Sequence, residues 1–178
     1  MIKKSLCFLY RCFECPIAIA TGLILISLLA LGGALVSEVF LGLEPCELCI
    51  YQRWPFVFTL FIGLFILIRR GNKQISLPLI ALGGLAFLVN GIIATYHSGV
   101  EQKWWVSAVD GCSVPAGFID NDQSWIENLM STPAGRCDEI PWQDPFIGLS
   151  MANYNMILCF GLFIACIYAV MRLKRAPL

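Results

Sequence analysis

Two cysteines three residues apart are the side chains of this sequence best suited to chemistry. Cys46 and Cys49 belong to a Cys-Glu-Leu-Cys segment, and a disulfide across so short a loop adds little stability and exchanges readily with other thiols. The segment stands just ahead of an apolar run, where the N-terminus of a helix would stabilise a thiolate. Arg53 follows Cys49 by four residues, and on a helix the two side chains would share a face. Pro55 counts against a continuous helix because it lacks a backbone N–H, and a helix that begins nearer Trp54 would weaken this pairing.

A second pair of cysteines, Cys112 and Cys137, lies in a long polar stretch. Four cysteines allow three pairings, of which Cys46–Cys49 and Cys112–Cys137 are the short-range ones. Half a zinc site completed by the second pair is an alternative, but it is disfavoured because Cys112 and Cys137 do not themselves form a second C-x-x-C, and no metal is expected. The second pair could also be a purely structural bond, and Arg53 could simply extend to a membrane interface.

Four long apolar runs indicate how these cysteines are positioned. Of the 178 residues, 58% are hydrophobic and 13% are charged, which is about half the charged fraction of a soluble domain. A helix needs about 20 apolar residues to cross a bilayer, and runs without period-2 alternation favour helices over barrel strands. The first run is too long for the apolar core of a signal peptide and is expected to be retained. The predicted fold is an all-α integral membrane protein, a four-transmembrane-helix bundle forming one membrane domain over residues 1–178, with spans at 17–40, 50–68, 75–96 and 147–171.

The basic residues orient this bundle. Nine of the twelve lysines and arginines precede the first span, join the second to the third or follow the fourth. Eleven of the twelve acidic residues fall on the opposite side or at its edge. The positive-inside rule then places both termini in the cytoplasm. The short loop 41–49 and the long, partly ordered loop 97–146, which carry all four cysteines, would face the periplasm of a bacterial inner membrane, and a short helix lying on the membrane is predicted at 124–130.

Five further cysteines are expected to take no part in the chemistry. Two lie seven residues apart on one face of the fourth span, Cys159 and Cys166, where cysteine behaves as a small hydrophobe. The three cytoplasmic ones are expected to be reduced bystanders, with metal binding or lipid attachment as the alternative, and they are Cys7, Cys12 and Cys15. The three short basic clusters form no basic face, which argues against a nucleic-acid partner.

One segment of the chain resembles the signature of a known family. The residues at 44–54, Glu-Pro-Cys-Glu-Leu-Cys-Ile-Tyr-Gln-Arg-Trp, resemble the C-x-L-C-x-x-Q-R signature of the DsbB family of bacterial inner-membrane disulfide-bond oxidoreductases. The similarity extends to four spans, both termini inside, a short outer loop with C-x-x-C and a long outer loop with two cysteines. Tyr-His-Ser-Gly-Val-Glu at 96–101 and Cys-Asp-Glu-Ile-Pro-Trp at 137–142 are similar to segments of one branch of the family.

The resemblance implies a relay of thiol electrons that ends on a quinone. The family reoxidises a soluble periplasmic thiol oxidase, DsbA, and passes the electrons to ubiquinone or menaquinone. By similarity, Cys112 would form the mixed disulfide with the partner, Cys137 would exchange with Cys46, and Cys49 would meet the quinone with Arg53 beside it. The roles of Cys112 and Cys137 could be exchanged, since their assignment depends on order in the chain. The expected partners are a DsbA-like thiol oxidase and the lipid and quinone pool of the membrane.

Two polar residues lie near the ends of the spans that carry or adjoin the cysteines. His97 is a candidate neighbour of the quinone, although a lone histidine at the end of a span is as often simply interfacial, and Gln52 matches no functional element.

Two other functions are alternatives to this relay. The cysteines could instead carry reducing electrons outward, although no cysteine pair lies midway across the membrane to relay them. A four-span scaffold with two structural disulfides would explain the bonds but not the arginine beside a C-x-x-C. Whether the Cys46–Cys49 bond cycles or stays oxidised discriminates among these readings.

Overall fold

The computed structural model describes residues 13–109, 112 and 135–175. The described residues form helices and one isolated β-bridge, between Gln143 and Ser150. The expected helix at 124–130 and the cysteines at positions 7 and 12 lie outside the described residues. The helices, numbered in chain order, are α1 Pro16–Leu41, α2 Glu47–Tyr51, α3 Arg53–Ile68, α4 Lys73–Glu101 and α5 Met151–Arg175.

The helices make four segments that are long and apolar enough to cross a membrane. They are 26, 22, 29 and 25 residues long, and α2 and α3 together make the second. Large apolar side chains such as Leu29, Phe61 and Ile68 are 63–75% exposed. A water-soluble surface does not carry so many exposed apolar side chains, whereas lipid tails cover them without penalty. The predicted all-helical, four-span membrane fold is therefore confirmed.

The ends of the helices differ from the ends of the apolar runs that predict the spans. α4 continues five residues past the predicted end at position 96, so His97 and Glu101 are helical rather than part of the following loop. α5 begins four residues after the predicted position 147 and ends at Arg175. An apolar run marks only the part of a helix inside the hydrocarbon, and backbone hydrogen bonding can continue into the polar layer.

The second span is divided at Gln52. Pro55 is the third residue of α3, where a helix needs no N–H from the chain. Because Pro55 has no N–H to offer the carbonyl of Tyr51, α2 ends at that residue. Gln52 keeps helical dihedral angles, with φ −68° and ψ −14°, and its N–H bonds to the carbonyl of Leu48 at 3.1 Å. The two helices therefore follow one another as one span, with Cys49 on α2 and Arg53 at the start of α3.

Two close helix pairs build the bundle, α1 with α3 and α4 with α5. Glycines permit both contacts: a Cβ on Gly63 of α3 would lie 2.9 Å from the carbonyl oxygen of Ala20, and one on Gly84 of α4 would lie 2.9 Å from Cβ of Cys166. Small residues let helix backbones approach closely in a membrane. Contacts between α3 and α4 join the pairs, while the described parts of α1 and α5 make little direct contact and leave a cavity between them.

A candidate thiol-exchange site

Cys46 and Cys49 lie at the N-terminus of α2. Cys46 is the residue that caps the helix, and its sulfur accepts a hydrogen bond from the backbone N–H of Cys49 at 3.3 Å. The two sulfurs are 2.6 Å apart and are not bonded to each other in this structure. The hydrogen bond with the Cys49 sulfur, together with burial, raises the pKa of Cys46 above its ordinary value.

Cys112 and Cys137 form a disulfide in this structure, with their Cα atoms 4.7 Å apart. Both side chains are fully buried, and the N–H of Cys137 bonds to the carbonyl of Cys112 at 3.1 Å. This disulfide packs against Cys46 and Val100 in one small apolar cluster. The sulfurs of Cys46 and Cys137 and one ring nitrogen of His97 all lie within 4.8 Å of one another. The fold therefore brings the two cysteine pairs, far apart in sequence, to within a short movement of exchange.

The segment that carries Cys137 is seated directly on the backbone before α2. A Cβ on Gly135 would lie 2.7 Å from the carbonyl oxygen of Glu44 and 2.8 Å from the nitrogen of Cys46. Only a residue without a side chain permits this approach, because real Cβ atoms essentially never come so close. Gly135 therefore sets how near Cys137 can come to Cys46.

Ion pairs hold the same segment in shape. Arg136 makes a two-pronged contact with Asp138, at 3.0 and 2.8 Å, and a third contact with Glu139 at 2.8 Å. The hydrogen bonds from Arg136 hold the pKa of Asp138 below its ordinary value. The ion pair is thus formed at neutral pH.

Arg53 faces the cavity between α1 and α5 and pairs with Glu38 of α1. The side chains of both residues are about one-quarter exposed, at 26% and 23%. The guanidinium group of Arg53 is therefore bound to a protein carboxylate rather than extending freely to the membrane interface. Glu38 was visible in the sequence as a single charge near the end of the first apolar run, but nothing local indicated its partner.

His97 is buried rather than interfacial, with 4% of its surface exposed. Its Nε2 atom lies 3.6 Å from the sulfur of Cys46, and its Nδ1 atom lies 2.8 Å from the amide nitrogen of Gln52. Glu101, one helical turn later, places a carboxylate oxygen 3.8 Å from Nε2, and its other oxygen accepts a hydrogen bond from Ser150. Helix α4 extends past the predicted end of the third span, and that extension brings His97 and Glu101 into the site.

Sequence reasoning missed Gln52, Glu101 and Asn155 as members of this site. The amide oxygen of Gln52 accepts a hydrogen bond from the side chain of Asn155 on α5 at 2.6 Å. The available signal was their polarity, since polar groups within spans are costly and mark functional positions. That signal identifies the residues but not which of them meet.

A cavity of about 300 Å³ lies beside the cysteines. This volume is at the lower end of the range for small-molecule sites. Cys49, Arg53 and His97 contribute polar groups to its wall. Its other lining side chains include apolar ones from α1, α5 and the segment that follows Cys137, namely Ala30, Leu31, Ala34, Leu158, Pro141 and Trp142.

The cluster of Cys46, His97 and Cys137 has the donor types of a zinc site, but its surroundings do not suit a metal. Cys137 is already bonded to Cys112. A metal-bound imidazole donates its second N–H to an oxygen acceptor, whereas the Nδ1 atom of His97 faces the amide nitrogen of Gln52, which is a donor. The arrangement suits exchange between sulfurs better than metal binding.

Comparisons with known proteins point to one family. The family model described as disulfide bond formation protein DsbB matches residues 17–169. An uncharacterized protein of Rickettsia prowazekii (strain Madrid E) is 32% identical over 151 residues, which cover 82% of this chain and 83% of that protein. Disulfide bond formation protein B of Xanthomonas campestris pv. campestris (strain 8004) is 33% identical over 154 residues, covering 82% and 87%. Its counterpart in Xanthomonas axonopodis pv. citri (strain 306) is 29% identical over 161 residues, covering 85% and 91%. No solved structure gives a significant match.

Proposed function

The chain belongs to the DsbB family of disulfide bond formation proteins, and we propose from that premise that it reoxidises a DsbA-like thiol oxidase and passes the electrons to ubiquinone or menaquinone. Family membership makes it a membrane thiol–disulfide oxidoreductase that serves disulfide-bond formation. The observation that carries the finer proposal is the approach of Cys137 to Cys46, within 4.8 Å. Two structural disulfides would have no need of this proximity.

Two exchanges move the electrons inward along the cysteines. A thiolate of the reduced partner attacks the sulfur of Cys112, the Cys112–Cys137 bond breaks, and Cys137 leaves as a thiolate. Cys137 then attacks Cys46 of a Cys46–Cys49 disulfide, and Cys49 leaves as a thiolate. Each exchange forms one sulfur–sulfur bond and breaks one, so the electron pair moves on without an outside oxidant. The 2.6 Å separation of the Cys46 and Cys49 sulfurs supports the second disulfide, because the bond can close without movement of the backbone.

The residues around Cys49 fit a quinone. Apolar side chains of α1 and α5 can hold the faces of a flat ring, and Arg53 can donate hydrogen bonds to its oxygens, with His97 in the same wall of the cavity. When bound, the quinone supplies the acceptor for the two electrons and takes up the two protons that the thiols release. The positive charge of Arg53 favours a thiolate at Cys49 and the negative charge that develops on a reduced ring oxygen.

The proposed location is a bacterial inner membrane with the cysteines in the periplasm. Arg172, Lys174 and Arg175 occupy the last turn of α5, at the end of the bundle opposite Cys46. Arg69 and Arg70, between α3 and α4, lie at the same end. The positive-inside rule assigns that end to the cytoplasm.

Quinone absorbance tests the proposal. The purified protein in detergent is mixed with a reduced DsbA-like partner and a quinone, next to the variants Cys49→Ser and Cys112→Ser. Cys166→Ser is the matched control, because Cys166 is buried against α4 away from the site. We expect the wild type and Cys166→Ser to consume quinone and the other two variants to stop. If the wild type consumes no quinone with any partner, or if Cys49→Ser remains active, the relay is refuted.

A further inference from the structure

A chain of hydrogen bonds runs from α5 to the sulfur of Cys46. The thiol of Cys159 donates to the side-chain oxygen of Asn155 at 3.3 Å, and the amide nitrogen of Asn155 donates to the amide oxygen of Gln52 at 2.6 Å. The amide nitrogen of Gln52 lies 2.8 Å from Nδ1 of His97, and Nε2 of His97 lies 3.6 Å from the Cys46 sulfur. All five side chains are at least partly buried, so water cannot easily replace these partners.

The direction of this chain fixes the tautomer of the histidine. Because the Cys159 thiol donates to the oxygen of Asn155, and Asn155 in turn donates to the oxygen of Gln52, turning over the amide group of Gln52 alone would place two donors face to face. The nitrogen of Gln52 therefore donates to Nδ1 of His97, and Nδ1 must be unprotonated to accept this hydrogen bond. A neutral imidazole then carries its proton on Nε2, the atom that faces Cys46. Asn90 also holds the backbone of Gln52 in place, with a 3.1 Å hydrogen bond from its side chain to the Gln52 carbonyl.

We propose that Gln52 is a positioning residue that fixes His97 as the tautomer protonated on Nε2, so that His97 donates a hydrogen bond to Cys46 when Cys46 leaves as a thiolate. This inference rests on the proposed function and names a task for two of its residues. In the relay, Cys137 becomes bonded to Cys46. The second thiolate of the partner attacks the partner's own sulfur in the mixed disulfide, which oxidises the partner and releases Cys112 as a thiolate. When the Cys112 thiolate then attacks Cys137, the Cys112–Cys137 bond forms again, the Cys137–Cys46 bond breaks and Cys46 takes the electron pair. No proton moves in this step, and the N–H of His97 stabilises the charge that appears on sulfur.

Other charged groups around His97 do not take over this proton. Glu101 is 3.8 Å from Nε2, beyond hydrogen-bond distance, and one of its oxygens is bonded to Ser150. Arg53 is bound to Glu38 across the cavity. The sulfur of Cys46 is thus the acceptor toward which the fold directs the Nε2–H bond.

Nitrogen NMR can read the tautomer directly, because His97 is the one histidine in the sequence. In protein labelled with ¹⁵N-histidine, a protonated ring nitrogen resonates far from an unprotonated one. We expect the wild type to show protonated Nε2 and unprotonated Nδ1. Gln52→Glu keeps the size of the side chain but supplies a carboxylate that accepts from Nδ1, so the pattern should reverse. Gln74→Glu makes the same chemical change at an exposed position on α4 and should leave the pattern unchanged.

A rate measurement tests the consequence for sulfur. In a Cys49→Ser, Cys112→Ser protein, the Cys46–Cys137 disulfide is formed and then cleaved by glutathione, with release of Cys46 followed by mass spectrometry. Loss of a hydrogen bond to a charged atom should slow this release by about tenfold in Gln52→Glu. In a His97→Gln background, where an amide N–H remains available whatever residue 52 is, Gln52→Glu should have little further effect.

The outcomes separate this inference from the proposed function, because neither measurement uses a quinone or a partner protein. A wild type protonated on Nδ1, or a tautomer that Gln52→Glu does not change, overturns the assignment. A reversed tautomer with unchanged release of Cys46 overturns the positioning role. Failure of quinone reduction with both results as expected would count against the proposed function alone.

Discussion

Replacing Gly135 with alanine should separate the two cysteine pairs without touching a sulfur. The added Cβ would lie 2.7 Å from the carbonyl oxygen of Glu44, whereas ordinary contacts begin at 3.4 Å, so the segment must retreat by about 0.7 Å. The obstacle is backbone, which cannot rotate away as a side chain can. The backbone of Gly135 is not in the left-handed region, so the effect is purely steric.

The magnitude follows from the cost of inserting a methyl group into a packed contact. Such overpacking costs about 1–3 kcal/mol, which corresponds to a factor of roughly 5–150 in an equilibrium. The docked position of Cys137 should be less populated by that factor. The rate of exchange should fall in proportion, because it requires the two sulfurs to be aligned.

The effective concentration of Cys46 and Cys137 is the quantity to measure. In a Cys49→Ser, Cys112→Ser protein equilibrated with glutathione, mass spectrometry of the digested chain gives the fraction of Cys46–Cys137 disulfide. Gly135→Ala should lower the effective concentration by roughly 5–150-fold.

Gly161→Ala is the control, because a Cβ at that exposed position on α5 meets nothing within 4 Å. Equal values for Gly135→Ala and the parent protein would refute the claim that this glycine sets the approach of the sulfurs.

Three further outcomes follow from the structure. Arg53→Ala should lower quinone reduction far more than it lowers the free energy of unfolding. Adding Glu38→Gln removes the carboxylate that this change leaves unpaired, so it should restore stability in a denaturant titration but should not restore turnover. Restored turnover would assign Arg53 a structural role only. Arg136 lowers the pKa of Asp138, so their ion pair stabilises the docked segment at neutral pH, and this stabilisation is lost as the pH falls through the lowered pKa. Arg136→Ala should therefore raise the pH at which Asp138 titrates in carboxyl NMR. An unchanged titration would contradict the pairing. The side chain of Asn72 caps α4 by accepting a hydrogen bond from the N–H of Gln74 at 3.0 Å. Asn72→Ala should lower the free energy of unfolding by about 1 kcal/mol and leave quinone turnover unchanged. A loss of turnover would argue against a purely structural cap.

The existence of the four spans could be predicted from the sequence because apolar length is a local property. About 20 apolar residues are enough to identify a span, whatever the other spans do. The ends of the helices could not be predicted in the same way. α4 continues through His97 and Glu101 because tertiary contacts to Gln52, Cys46 and Ser150 satisfy their polar groups, and such contacts leave no local pattern.

The same distinction between local pattern and tertiary contact applies to the residues of the site. The C-x-x-C and the nearby arginine could be recognised by spacing, since a short thiol pair beside a cation at the start of a span is itself the signal. The ion pair of Arg53 with Glu38 depends instead on how α1 packs against α3. The division of the span at Gln52 was partly foreseen from Pro55, because a missing N–H is also a local property.

By itself, the sequence determined the four apolar spans, the positions of the four cysteines at 46, 49, 112 and 137, and the segment at 44–54 that resembles the family signature. The tertiary structure alone decided which of these groups meet. Gln52 reaches His97 across 45 residues and Asn155 across 103, and Gly135 brings Cys137 against the backbone before Cys46. The physical reason is that these contacts depend on the rotation and register of helices packed against one another, which spacing along a single helix does not specify.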